Sequence, residues 1–168
     1  VVMGYHLPGL LAEVALQSSL ALLAAALLGP GQVLARLLQV LMPNFFSTKL
    51  VATLALVLHP IASVLLLVFG ADAIFVFAFI HGMGSGFLTV AAGTLPLYLF
   101  GSKDYGKRQG YIMAASDLLL GFAPFAFGLL LVTYGAGSLM ISSASSLLAF
   151  GILLWLLRIK RAIEHQLD

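Results

Sequence analysis

The sequence has no cysteine and very little charge. Without thiols there can be no disulfide, thiolate zinc site, iron–sulfur cluster or cysteine nucleophile. Only 8% of the 168 residues are charged, while 62% are hydrophobic; a soluble domain has ~25% charged and ~45–50% apolar residues. A chain of this length has too little polar surface to cover its apolar side chains, which excludes a soluble globular domain and indicates that lipid is its solvent.

Concentrated positive charge and catalytic motifs are also missing. The net charge is only +2, and the Lys and Arg residues do not cluster on a polar face that could bind phosphates. Nucleic acid is therefore not an expected partner. There is no nucleophile elbow, phosphate-binding loop or His-x-x-x-His pair, and the glycines at residues 82–86 lie inside an apolar run, not at a strand-to-helix turn. We therefore expect no enzyme activity, no metal and no cofactor.

What the sequence does contain is five apolar segments separated by Gly, Pro and charge. Each exceeds the ~17 residues that a helix needs to cross the hydrocarbon, whereas a membrane β-barrel would show ~10-residue alternating stretches. The sequence predicts an all-α, polytopic membrane protein with a single transmembrane domain over residues 1–168. The expected spans are residues 10–28, with a continuation to 41 left open across Gly29-Pro30-Gly31, and residues 48–69, 73–100, 109–134 and 138–159.

The first five residues form a short apolar stub. They include no initiating Met and no basic region followed by a cleavable apolar run, which argues against a signal peptide. We expect the stub to be the tail of a preceding helix, and the chain to be part of a longer protein.

Five crossings would put every basic residue on one side of the membrane. The positive-inside rule assigns that side to the cytoplasm, so we expect a multi-pass protein of the inner (plasma) membrane with a cytoplasmic C-terminus. The residues concerned are Arg36, Lys49, Lys103, Lys107, Arg108, Arg158, Lys160 and Arg161.

Ionisable residues at mid-membrane depth are rare and are the first candidates for function. Asp117 is one, and it shares a helical stripe with Gly110, Ala114, Gly121 and Gly128, so we expect it to face protein. It is either a proton-titrating or cation-binding carboxylate, or a hydrogen-bonded Asp that joins two helices.

His81 is the second candidate, because it begins the sequence HGMGSG. Gly82 and Gly86 form a Gly-x-x-x-Gly pair that allows helix backbones to touch, and Gly84 lies between them. Together with Thr89, these residues predict a cavity-lining helix, with simple packing as the alternative. A third mid-depth residue, His59, precedes Pro60, and we favour a local bond to the carbonyl that the proline leaves free.

Gln32, Arg36 and Gln39 form a polar stripe at i, i+4 and i+7. If Gly29-Pro30-Gly31 ends the span, the stripe belongs to a short amphipathic segment on the cytoplasmic surface; otherwise it belongs to a helix that projects beyond the bilayer. Arg36 is then either a snorkelling anchor or a charged latch between two helical bundles.

Two segments carry a family resemblance: LGPGQVLARLL at residues 28–38, and the Gly-rich third span ending in GTLPLYLFG at residues 93–101. Through these two segments the sequence resembles the C-terminal half of a bacterial major facilitator superfamily transporter, from the end of helix seven to helix twelve. The resemblance covers nearly the whole chain. Residues 29–36 look like a degenerate copy of the superfamily's cytoplasmic loop motif, without its acidic residue and second basic cluster.

The resemblance implies a half-bundle of five transmembrane helices plus the helix stub, which works with a missing N-terminal half. It places His81 on a cavity-lining helix, Asp117 beside a gate, and His59 on a peripheral helix. The expected function is secondary transport of a small solute by alternating access, with proton coupling through His81 or Asp117 as an option. The alternative is a membrane scaffold or subunit that transports nothing and packs against a partner.

Overall fold

The computed structural model describes residues 18–167, and every regular element in that range is helical. The six α-helices are α1 Ser18–Ala26, α2 Leu28–Leu41, α3 Thr48–Phe69, α4 Ile74–Phe100, α5 Tyr105–Tyr134 and α6 Ser138–Leu167. The all-α prediction is thereby confirmed for the described residues. The predicted helix stub and the first residues of the first predicted span lie outside them.

Four continuous helical stretches are long and apolar enough to cross a membrane. They are Ser19–Leu41, Thr48–Phe100, Tyr105–Tyr134 and Ser138–Ile163. The second, at 53 residues, contains both α3 and α4, joined by the 3-10 turn Gly70–Ala73. The chain is therefore a membrane-type helical protein by the length and composition of its helices.

Helices α3 and α4 form an antiparallel hairpin. Gly70 begins the turn with φ 59°, a conformation that Gly adopts without strain. At the other end of α3, the Ser47 hydroxyl accepts a hydrogen bond from the Leu50 N–H at 3.4 Å and so caps the helix. Leu66 packs near Ile74, and Ala55 near Phe87, as expected for two limbs that run in opposite directions.

Helices α1 and α2 form one stretch that is interrupted only at Leu27. Pro30 lies in the first turn of α2, where a backbone N–H would have no partner within that helix, and the Gly31 N–H bonds to the Leu27 carbonyl at 3.1 Å. The helical stretch that contains the predicted first span therefore continues to Leu41. Because α2 packs along the middle of α4, the structure favours a continued span over a separate amphipathic segment on the membrane surface.

The two remaining helices complete the bundle in different ways. Helix α6 packs on the α3–α4 hairpin through buried Leu139 and Leu153. Helix α5 buries none of its residues. Helix α5 begins at Tyr105, four residues before its predicted start. Lys107 and Arg108, which were predicted to lie in the preceding loop, are good helix formers and occupy its first turn.

The C-terminal ends of α2, α4 and α6 lie together with the N-terminal ends of α3 and α5. We call this the basic end, because it carries the Lys and Arg side chains. There Lys49 and Lys160 both approach the Tyr98 ring, and Arg108 bonds to the Gly101 carbonyl at 2.8 Å. Asp72 lies in the turn at the opposite end. The basic residues thus share one end of the bundle, as their sequence positions predict.

Candidate functional site

Helix α4 lies at the centre of the candidate site, in backbone contact with α2. A Cβ added at Gly86 would lie 2.6 Å from the Gln32 carbonyl oxygen, and one at Gly31 would lie 2.5 Å from the Phe79 oxygen. A Cβ at Gly82 would collide with the Leu28 carbonyl. Only glycine permits this spacing, which is the close approach that a Gly-x-x-x-Gly pair allows.

The opposite face of α4 makes room for a histidine from α3. Gly84 lies about 200° around the helix from Gly82, and a Cβ there would be 2.8 Å from the His59 Nδ1. The His59 ring consequently reaches the His81 ring, with centroids 4.4 Å apart and planes inclined by 75°. The alternating glycines therefore allow two helices to approach α4: Gly82 and Gly86 contact α2, and Gly84 contacts α3.

His59 and His81 differ in their hydrogen bonds. The His59 Nδ1 lies 2.9 Å from the Ala55 carbonyl oxygen, and because a carbonyl only accepts, this nitrogen carries the proton. His81 is 4% exposed, and its Nδ1 is buried without a hydrogen-bond partner among the described residues. A buried polar atom left in that state costs ~1–3 kcal/mol. Packing alone does not account for a histidine at this position.

His59 bonds to a carbonyl of its own helix, as the sequence predicts, but not to that of Leu56, which Pro60 leaves free. The family resemblance implied a peripheral helix for this residue. The structure has His59 bonded to Ala55 and packed edge-on against His81. The available signal was the hairpin itself, which brings residue 59, eleven residues before the turn at Gly70–Ala73, within one helical turn of the depth of residue 81, eight residues after it.

A short polar line connects α2 with α4. The Arg36 guanidinium donates to the Thr89 hydroxyl at 3.3 Å, and that hydroxyl donates to the Ser85 carbonyl at 2.9 Å. Arg36 and Thr89 are both exposed, and Thr89 lies roughly 16 Å before the end of α4 at ~1.5 Å per residue. Arg36 is thus held against a neighbouring helix of its own chain, while Gln32 contributes a backbone contact to Gly86.

Asp117 is exposed on α5, and a Cβ added at Gly110 or Gly121 would meet nothing within 4 Å. Among the described residues, no neighbouring helix packs against Gly110 or Gly121 of this stripe, and the prediction that the stripe faces protein stays a prediction. Near the start of α5, Tyr105 and Gln109 donate to the Gly93 and Ala92 carbonyls of α4 at 2.9 and 3.0 Å, and near its end Phe127 and Leu131 pack against the core of the bundle.

The site thus combines the pair of buried His81 and half-buried His59, an exposed Arg36–Thr89 line and an exposed carboxylate on a third helix. Within residues 18–167, no three His, Asp or Glu side chains are grouped closely enough to share a metal ion. The imidazoles and the carboxylate are groups that exchange protons, and the guanidinium is a fixed positive charge. Compared with known proteins, the chain matches no protein-family profile, no curated protein and no solved structure significantly.

Proposed function

We propose that the chain is part of a secondary transporter that moves a small solute by alternating access. In this proposal the chain crosses the membrane five times, through α1–α2, α3, α4, α5 and α6, after the helix stub, as in the C-terminal half of a major facilitator superfamily transporter. The basic end faces the cytoplasm and the protein lies in the inner (plasma) membrane. Its partners are the lipid bilayer, the solute and an N-terminal half of the same transporter.

The exposed position of Asp117 is the observation that carries the proposal. This carboxylate lies roughly 18 Å from the start of α5, at mid-depth of an apolar helix, and nothing in the described bundle covers it. A charged side chain facing lipid at that depth costs about 2.5–3.5 kcal/mol or more. A water-filled cavity or a second helical bundle would remove that cost, and alternating access requires both.

The packing of the other helices supports the same function. Helices α2 and α4 are joined by backbone contacts, and α3 packs its side chains against α4, so the three helices move most easily as one rigid unit, as a rocking half-transporter requires. The exposed Arg36–Thr89 line offers hydrogen-bond donors on the surface of that unit. His81, with an imidazole nitrogen that has no hydrogen-bond partner in the part of the chain that the structure describes, is a candidate for proton coupling together with Asp117.

Thiol accessibility tests the proposal without knowledge of the solute. Because residues 1–168 contain no Cys, an introduced thiol is the only one in this chain. In the full-length protein in proteoliposomes, Asp117→Cys should react with a membrane-impermeant, charged maleimide from the aqueous phase. Leu119→Cys is the matched control, because Leu119 is 73% exposed on the same helix but should face lipid and remain unlabelled.

A scaffold is the second candidate, and the same uncovered face of α5 favours it. A partner helix that packs permanently on this face would shield Asp117 from water as well as from lipid. Under a scaffold function, thiols at positions 117 and 119 would both resist the reagent on both sides of the membrane. That result would contradict alternating access at this face.

A further inference from the structure

Two lysines from different helices converge on one tyrosine at the basic end. The Nζ of Lys49, at the start of α3, lies 5.4 Å from the Tyr98 ring centroid, and the Nζ of Lys160, in α6, lies 4.8 Å from it. Both ammonium groups are attracted to the same ring, and each repels the other. The two ammonium groups together concentrate positive charge beside one aromatic ring, where an anion would be attracted by both.

An apolar groove begins at the same lysine. It has a volume of about 210 Å³ between the end of α4 and the end of α6, and Lys160 forms one of its walls. Phe100 and Ile163 are exposed along it, so the groove is open toward the surroundings of the bundle. Its other lining residues are Leu99, Leu156 and Ile159.

The size and shape of the groove suit an extended chain. Pockets that enclose compact ligands have volumes of about 300–1,000 Å³, whereas this groove is smaller and open along one side. It lies at the end of helices that are long enough to cross a bilayer, where hydrocarbon meets headgroups. Positive charge at one end and apolar walls along its length match the two chemistries of a single amphipathic anion.

We propose that the basic end binds one anionic phospholipid, with its phosphate between Lys49 and Lys160 and one acyl chain in the groove of Leu99, Phe100, Leu156, Ile159 and Ile163. Basic pockets between membrane helices are suited to lipid phosphates in this way. The lipid would hold the ends of α3, α4 and α6 together around Tyr98. The inference depends on the membrane location of the helices and not on transport.

The test is native mass spectrometry of the full-length protein released from mixed micelles that contain phosphatidylglycerol or phosphatidylcholine. We expect one retained phosphatidylglycerol and no retained phosphatidylcholine. Lys49→Gln combined with Lys160→Gln should weaken phosphatidylglycerol binding by about tenfold or more. The matched control, Lys103→Gln with Lys107→Gln, removes the same charge from the same end and should retain the lipid.

Two further measurements separate the sources of the anion and guard against misfolding. Inorganic phosphate and dihexanoyl phosphatidylglycerol should compete poorly with the long-chain lipid, because neither fills the groove. Lys49→Arg with Lys160→Arg keeps the charge and should retain binding, which distinguishes loss of the site from loss of the fold. Equal weakening in the two Gln pairs, effective competition by inorganic phosphate, or equal retention of phosphatidylcholine would each overturn the proposal.

Discussion

Helices α4 and α5 are both long and apolar and both contain glycines at helical spacing, yet they are packed in opposite ways. In α4, Gly82 and Gly86 touch the backbone of α2, and nine residues of the helix are buried. In α5, Gly110 and Gly121 have open space around them, and no residue is buried. Small residues therefore allow a close approach between helices without ensuring that a neighbour is present.

This difference divides the bundle into one region that determines its stability and another that is open to its surroundings. The unit of α2, α3 and α4 encloses the His59–His81 pair and contains most of the buried residues of the bundle. Helix α5 carries an exposed carboxylate and is held to the bundle by two hydrogen bonds near its start and by half-buried Phe127 and Leu131 near its end. Substitutions in the first region should change the free energy of unfolding, and those in the second should mainly affect function.

The largest effect should come from Gly82→Leu. A side chain at this position meets the backbone of α2, which cannot move aside as a flexible side chain would. Overpacking of a core typically costs ~1–3 kcal/mol, and because backbone is struck here we expect at least ~3 kcal/mol of lost stability. Unfolding by SDS titration in mixed micelles, followed by far-UV circular dichroism, would measure the loss.

Gly121→Leu is the matched control for that experiment. It has open space, and Leu is favoured over Gly in a helix by roughly 1 kcal/mol, so the variant should be as stable as the parent or slightly more so. If the two substitutions destabilised the protein equally, the packing contrast between α4 and α5 would be incorrect.

Replacing His81 should change the free energy of unfolding by less than Gly82→Leu does, and in the opposite direction. His81→Leu removes the buried Nδ1 that lacks a partner, and we expect about 1 kcal/mol of added stability together with lost proton coupling. His59→Leu breaks the bond to the Ala55 carbonyl and should destabilise by about 1 kcal/mol. The same SDS titration would measure both variants. Equal destabilisation by the two substitutions would mean that His81 is an ordinary packing residue.

The helices themselves could be predicted closely from the sequence. Long apolar runs that end at Gly or at charge determine where a membrane helix can extend, so predicted residues 48–69 coincide with α3, and predicted 73–100 differ from α4 by one residue. The glycines that face α2 were also identifiable, because the Gly-x-x-x-Gly spacing places Gly82 and Gly86 on one face. These features depend on residues near each other in sequence.

Neighbours were harder to predict than helices. In a helix that is apolar all round, periodicity does not reveal which face meets protein, and the stripe of Asp117 was therefore assigned a neighbour that the described residues do not supply. The contact between His59 and His81 depends on the register of the α3–α4 hairpin, and the meeting of Lys49 and Lys160 at Tyr98 depends on three helix ends. Both follow from tertiary packing.

The most local effect, confined to one helix, should come from Tyr105→Phe. The Tyr105 hydroxyl donates to the Gly93 carbonyl at 2.9 Å, and its removal should cost ~0.5–1.5 kcal/mol. Because α5 has no buried residues, we expect the loss to appear as faster hydrogen–deuterium exchange in α5 while exchange in α4 stays unchanged. Tyr111→Phe removes an exposed hydroxyl from the same helix and should change neither. Faster exchange in both helices after Tyr105→Phe would show instead that α5 unfolds together with the α2–α3–α4 unit, and the contrast between the two regions would then be one of exposure alone.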